Sequence, residues 1–116
     1  MESHEKLEAW QHAHRLVLEV YRSTDRWPRS ERYELTAQVR RAAISVPANI
    51  AEGVARLGPR ELRHFLDIAR GSLAELSSLL TLARDRGLLE PAEWQALDEQ
   101  RQRVGRLVWG LLRSLQ

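Results

Sequence analysis

The chain has 116 residues, which is enough for one domain and leaves no material for a second core. It has no cysteine, which excludes a disulfide framework, thiol catalysis and cysteine-ligated zinc, and its 43% hydrophobic and 29% charged composition excludes a disordered polyelectrolyte. The net charge is only +2, but seventeen of the eighteen basic residues are arginines and they are segregated: residues 26–63 carry eight basic and four acidic side chains, and residues 101–116 carry four arginines and no acid. Such a pattern can create a local positive face on a nearly neutral molecule, although solvated arginines paired with nearby glutamates on helix surfaces are the favoured reading.

Three punctuation points, Trp27-Pro28, Gly58-Pro59 and Gly87 with Pro91, divide the chain into four helical segments, and no strand pattern competes with them. The first helix is expected over 4–24, with Ser3 as N-cap and an apolar face of Leu7, Trp10, His14, Val17 and Tyr21, flanked by Ala13, Leu16 and Val20. The second is expected over 30–57, started by Ser30 and carrying Leu35, Val39, Ala42, Val46, Ile50 and Val54, with a kink near the internal Pro47. In the third, 59–86, Leu62, Leu66, Ala69, Leu73, Leu76, Leu80 and Ala83 alternate spacings of four and three, a heptad seam. Phe65, Ile68, Leu79 and Leu82 widen that seam, and Gly71, Ser72, Ala74 and Ser78 are small enough for close helix approach. The fourth, 91–115, places Trp94, Leu97, Arg101, Val104, Val108, Leu111 and Leu115 on one face. Four amphipathic helices with short loops predict an all-α, antiparallel up-down four-helix bundle spanning residues 1–116. The longest apolar stretch, Leu79–Ala83 with Thr81 inside it, is far short of the ~20 residues that a bilayer requires. With a charged N-terminus, the expectation is a cytoplasmic protein without membrane association.

The centre of the chain reads Gln38-x-Arg40-Arg41-Ala42-Ala43-Ile44-Ser45-Val46-Pro47-Ala48-Asn49-Ile50-Ala51-Glu52-Gly53, followed by Arg56. Around it stand Leu7-x-x-Trp10-x-x-Ala13, Tyr21, Pro28, Glu31 and Phe65-Leu66-x-x-Ala69-x-Gly71-Ser72-Leu73-x-Glu75-Leu76. This pattern, over about residues 7–80, resembles the bacterial four-helix-bundle family encoded in intervening sequences of 23S ribosomal RNA genes, to which the accessory variability proteins of diversity-generating retroelements are related. The resemblance implies a left-handed bundle, a ring-like homopentamer and a non-enzymatic role. For the retroelement branch it also implies partnership with a reverse transcriptase and nucleic acid.

Two groups of residues carry the functional expectations. At 100° per residue, Arg41, Ser45, Asn49, Glu52 and Arg56 form a polar stripe on the second helix, either a ligand-contacting ridge or a network that seats this helix on a neighbour. The network is the favoured reading, because shielded polar groups need partners whether or not they do chemistry. The second group is Arg40 and Arg41 with Arg103, Arg106, Trp109 and Arg113, expected to bind RNA through phosphate contacts with Trp109 as a stacking platform, a cyclic oligomer repeating the weak site. Of the two roles the sequence favours Trp109 as a subunit-interface anchor, because Trp and Arg are both enriched in protein contacts, and a purely structural or protein-binding bundle is the alternative to the RNA-binding reading. Glu61-x-x-His64 matches half of a di-iron motif, but no second copy accompanies it, so neither a metal nor another cofactor is expected.

Overall fold

Proline and glycine end the helices where the sequence places them. A computed structural model describes residues 2–116, and every element among the described residues is helical: α1 (Glu8–Thr24), α2 (Leu35–Ala55), α3 (Pro59–Asp85) and α4 (Pro91–Ser114), with 3-10 turns at Ser3–Lys6 and Arg29–Glu31. Pro59 and Pro91 open α3 and α4 in the first turn, where no backbone N–H is missed. Gly58 and Gly87 take φ of 91° and 79°, values that side chains with a Cβ resist.

Each helix packs on its neighbours in sequence, and α4 closes the square against α1. Cross-helix pairs fix the directions. Ser45 of α2 meets Ser72 of α3 and Glu31, in the turn before α2, meets Arg86, just past the end of α3, whereas Arg70 meets Trp109 and Arg84 meets Trp94 between α3 and α4. In both sets one residue number rises as the other falls, so these helices run antiparallel. At 1.5 Å per residue α3 is about 40 Å long, which accounts for the 43 Å long axis of a molecule 23 Å across.

The core is a column of Leu16, Val20, Val39, Val46, Ile50, Leu66, Leu76, Leu80, Val104 and Val108, all essentially inaccessible. The α3 seam is the predicted one, with Ser72 added and Leu62 at its edge. In α1 the seam is displaced: Ala9, Ala13, Leu16 and Val20 face the core, while Trp10 and Val17 lie on the flank and His14 is exposed. Small alanines win this position because they let α1 approach α2 and α4 closely. His14 instead stacks on Trp10, centroids 4.9 Å apart, and His4 meets the same indole edge-on.

Two helix starts also differ from expectation. Ser3 and Ser30 cap nothing and belong to the 3-10 turns. Leu7, extended at φ −84° and ψ 130°, separates the first turn from α1, and its side chain packs at the end of the core. Before α2, both Trp27 and Leu35 are buried, and the intervening segment folds through short-range bonds from Glu31 N–H to Pro28 O and Glu34 N–H to Glu31 O. The helix therefore starts at Leu35, and it then runs unbroken through Pro47. Gly53 is the glycine that packing requires: a Cβ there would stand 3.0 Å from both Leu62 Cδ1 and Phe65 Cβ. Gly71, in contrast, faces open space.

Candidate functional site

Arginines at 60, 63 and 70 recur at helical spacing along the side of α3 that faces α4. With His64, Asp67 and Trp109 they line a groove of about 460 Å³ between the two helices. Trp109 is 46% exposed, and the Arg70 guanidinium lies 4.9 Å from its ring centroid, within cation–π range. Asp67 is the one side-chain carboxylate in the groove and it pairs with Arg70 at 3.5 Å. Arg60 and Arg63 have no acidic partner among the described residues, so the groove keeps net positive charge beside an accessible aromatic face.

The other arginines expected to act together are dispersed. Arg106 and Arg113 are exposed on α4 and extend the positive surface from the Trp109 side. Arg103 belongs to the opposite flank: burial, then Arg103 and Arg15, push the His12 imidazole below its ordinary pKa, with Glu8 opposing. Arg40 is largely committed within the fold. Its Nε donates to Thr24 Oγ1 and its Nη2 to Asp25 Oδ1, both at 2.8 Å, and its guanidinium covers the Tyr21 ring at 4.3 Å. Arg41 is exposed on α2, beside Tyr21, Tyr33 and Ile44.

Ser45 of the polar stripe hydrogen-bonds across to α3, and Asn49 braces it from within α2. The Ser45 and Ser72 hydroxyls are 2.7 Å apart, Asn49 Nδ2 donates to Ser45 O at 2.7 Å and to its Oγ at 2.9 Å, and the Ser72 hydroxyl also reaches Ile68 O at 3.1 Å. Farther along, Arg56 Nε donates to Glu52 Oε2 at 3.0 Å while its guanidinium lies 5.1 Å from the Phe65 centroid. Arg41 makes no contact with this network. Glu61 and His64 are both exposed, His64 packs edge-on against Phe65, and no group of three metal-ligating side chains occurs among the described residues.

Periodicity alone places Trp109 outside the core, but it pairs Trp109 only with neighbours on its own helix. The partners that the sequence does not join to it, Arg60, Arg63 and Arg70, have a legible signal in their spacings of three and seven; joining them to Trp109 requires the α3–α4 register.

No helix among the described residues is long and apolar enough to cross a membrane. No curated protein matches the chain. In fold it is similar to a crystal structure from Bacteroides thetaiotaomicron VPI-5482, a protein of unknown function from the S23 ribosomal protein family, with a TM-score of 0.80 and 14% identity over 90% of this chain and 97% of that one. The family model of the 23S rRNA-intervening sequence proteins matches residues 5–110, nearly the whole bundle. With four helices, no strand among the described residues and that match from the first 3-10 turn to the last turns of α4, the chain belongs to the 23S rRNA-intervening sequence protein family.

Proposed function

We propose that this protein is a non-enzymatic interaction module of the cytoplasm, a homopentamer of left-handed bundles that binds RNA through the α3–α4 groove. The observation that carries the reading is the half-exposed Trp109 under Arg70, with Arg60 and Arg63 unpaired alongside. Guanidinium groups meet phosphates without reading sequence, and an indole face stacks on any base, so the groove suits single-stranded or looped RNA. Exposed Leu18, Ile44, Ile68 and Leu82 on α1, α2 and α3 support self-association. The number five, the handedness and a reverse transcriptase as a further partner come from the family resemblance.

Light scattering combined with RNA mobility shifts tests this. The expected result is a mass five times that of the chain and a shift of single-stranded RNA at low salt, which Arg63→Glu with Trp109→Ala abolishes while the oligomer persists. A monomeric mass contradicts the assembly, and absence of any shift contradicts the groove. If Trp109→Ala alone dissociates the oligomer and the separated subunits still bind RNA, Trp109 is a subunit anchor, the structural reading of the same residue.

A further inference from the structure

At the corner between α1 and α2, two buried polar atoms have no hydrogen-bond partner: Trp27 Nε1 and Thr36 Oγ1. Trp27 is 9% exposed and Thr36 5%. Folded proteins seldom leave such groups unpaired, and each one calls for a ligand, a water or a functional reason. Both residues line a single, mostly polar pocket of about 250 Å³, and Arg29, Arg32 and Arg40 line it with them. Arg29 and Arg32 have no carboxylate partner among the described residues; Asp25, the acid at this pocket, is taken by Arg40. Thr36 also belongs to the first turn of α2, which has no side-chain cap, so free backbone N–H groups and the positive end of a 21-residue helix lie at the same place. Arginines, unpartnered hydroxyl and indole donors and an uncapped helix start make a site for a compact, multiply charged oxyanion.

A neighbouring cleft of about 430 Å³ shares Arg32, Thr36 and Arg40 with this pocket and adds Tyr21 and Tyr33. Tyr33 is 86% exposed, with the Arg32 guanidinium 5.6 Å from its ring. We propose that the α1–α2 corner binds a nucleoside phosphomonoester, with the phosphate held by Arg29, Arg32 and the Thr36 hydroxyl and the base stacked on Tyr33. A terminal phosphomonoester carries nearly two charges at neutral pH, against one for a phosphodiester within a strand, and so matches the paired free arginines better. The ligand is either a free nucleotide or the 5′-phosphorylated end of an RNA. This site shares no residue with the α3–α4 groove, and binding here stands or falls separately from it.

The test is calorimetric titration of the full chain with inorganic phosphate, AMP, and a short oligoribonucleotide bearing either a 5′-phosphate or a 5′-hydroxyl. The oligonucleotides are also titrated into the Arg63→Glu, Trp109→Ala protein, in which the groove is removed. AMP is expected to bind at least tenfold more tightly than phosphate, and the 5′-phosphorylated RNA at least tenfold more tightly than its 5′-hydroxyl form. RNA exceeding AMP tenfold identifies an RNA end as the ligand, whereas equal affinities identify a free nucleotide. Arg29→Ala with Arg32→Ala should weaken binding at least tenfold. Thr36→Val should weaken it at least threefold yet leave the thermal midpoint of the free protein unchanged or raised, because the hydroxyl has no native bond to lose. Affinities indifferent to the 5′-phosphate, failure of AMP to bind at millimolar concentration, or an unchanged affinity in the double arginine variant each overturn the proposal. Phosphate bound as tightly as AMP overturns the role given to Tyr33.

Discussion

Gly53 and Gly71 stand at the same level of chemistry and at opposite levels of constraint. A Cβ at position 53 would press on Leu62 and Phe65 at 3.0 Å, with Leu62 O at 3.4 Å, whereas one at 71 would meet nothing within 4 Å. Gly53→Ala should therefore destabilise the bundle by about 1–2 kcal/mol, since overpacking outweighs the gain in helix propensity. Gly71→Ala should stabilise the subunit by about 0.5–1 kcal/mol. Urea unfolding of both variants measures this, and a destabilised Gly71→Ala would show that a neighbouring subunit packs against α3 there. His12 gives a pH dependence of known sign. Burial and the nearby Arg103 and Arg15 lower its folded-state pKa, so in the window between the lowered and the ordinary value the unfolded chain holds more protons. Stability should fall as pH is lowered from about 7 through that window, and His12→Gln should flatten the fall in thermal melts; parallel curves for the two proteins contradict the assignment. Position 14 shows where residue-level reading stops. Leu7, Trp10, His14 and Val17 alternate spacings of three and four just as Ala9, Ala13, Leu16 and Val20 do, and side-chain size favours the former. The fold buries the latter, and which face is buried is decided by how α1 packs on its neighbours, a property of more than one helix.

Among the elements, α3 was the most legible, because its seven-residue alternation of leucine and alanine permits one inward face. The start of α2 was the least legible. Pro28 and Ser30 satisfy local rules for a helix start, but Trp27 and Leu35 are both buried, and the connection spends its residues on a 3-10 turn. The stripe on α2 was visible as a pattern, and its use became visible only with Ser72 opposite Ser45. The two hydroxyls share one hydrogen bond in a shielded seam, so a double-mutant cycle with Ser45→Ala and Ser72→Ala should return a coupling of about 0.5–1.5 kcal/mol. A coupling near zero would mean that Asn49 satisfies Ser45 without help from α3.

For the whole molecule, the segregated charge along the chain becomes a segregated surface only through the antiparallel order of the helices. Only the end of the first block, Arg56 to Arg63, lies beside the end of α4 formed by residues 101–116; Arg26, paired with Glu93 at the start of α4, and Arg29, Arg32, Arg40 and Arg41 belong toward the other end of the bundle. That is how Arg60 and Arg63 come to flank Trp109, while intervening Asp25 removes Arg40 from the free charge. The two basic blocks were legible in the sequence, but which arginines remain unpaired depends on carboxylates brought from other helices. A ring of such subunits would present the same groove several times to one polyanion, so weak individual contacts would add along the strand. The direct measurement is fluorescence anisotropy of a labelled single-stranded RNA with wild-type and Arg63→Glu protein between 50 and 200 mM salt. Three or more phosphate contacts predict a loss of at least about tenfold in wild-type affinity over that range, with a shallower dependence and weaker binding for Arg63→Glu. Absence of binding at 50 mM salt, or an affinity that ignores both the salt and the substitution, would contradict the α3–α4 groove as a nucleic-acid site.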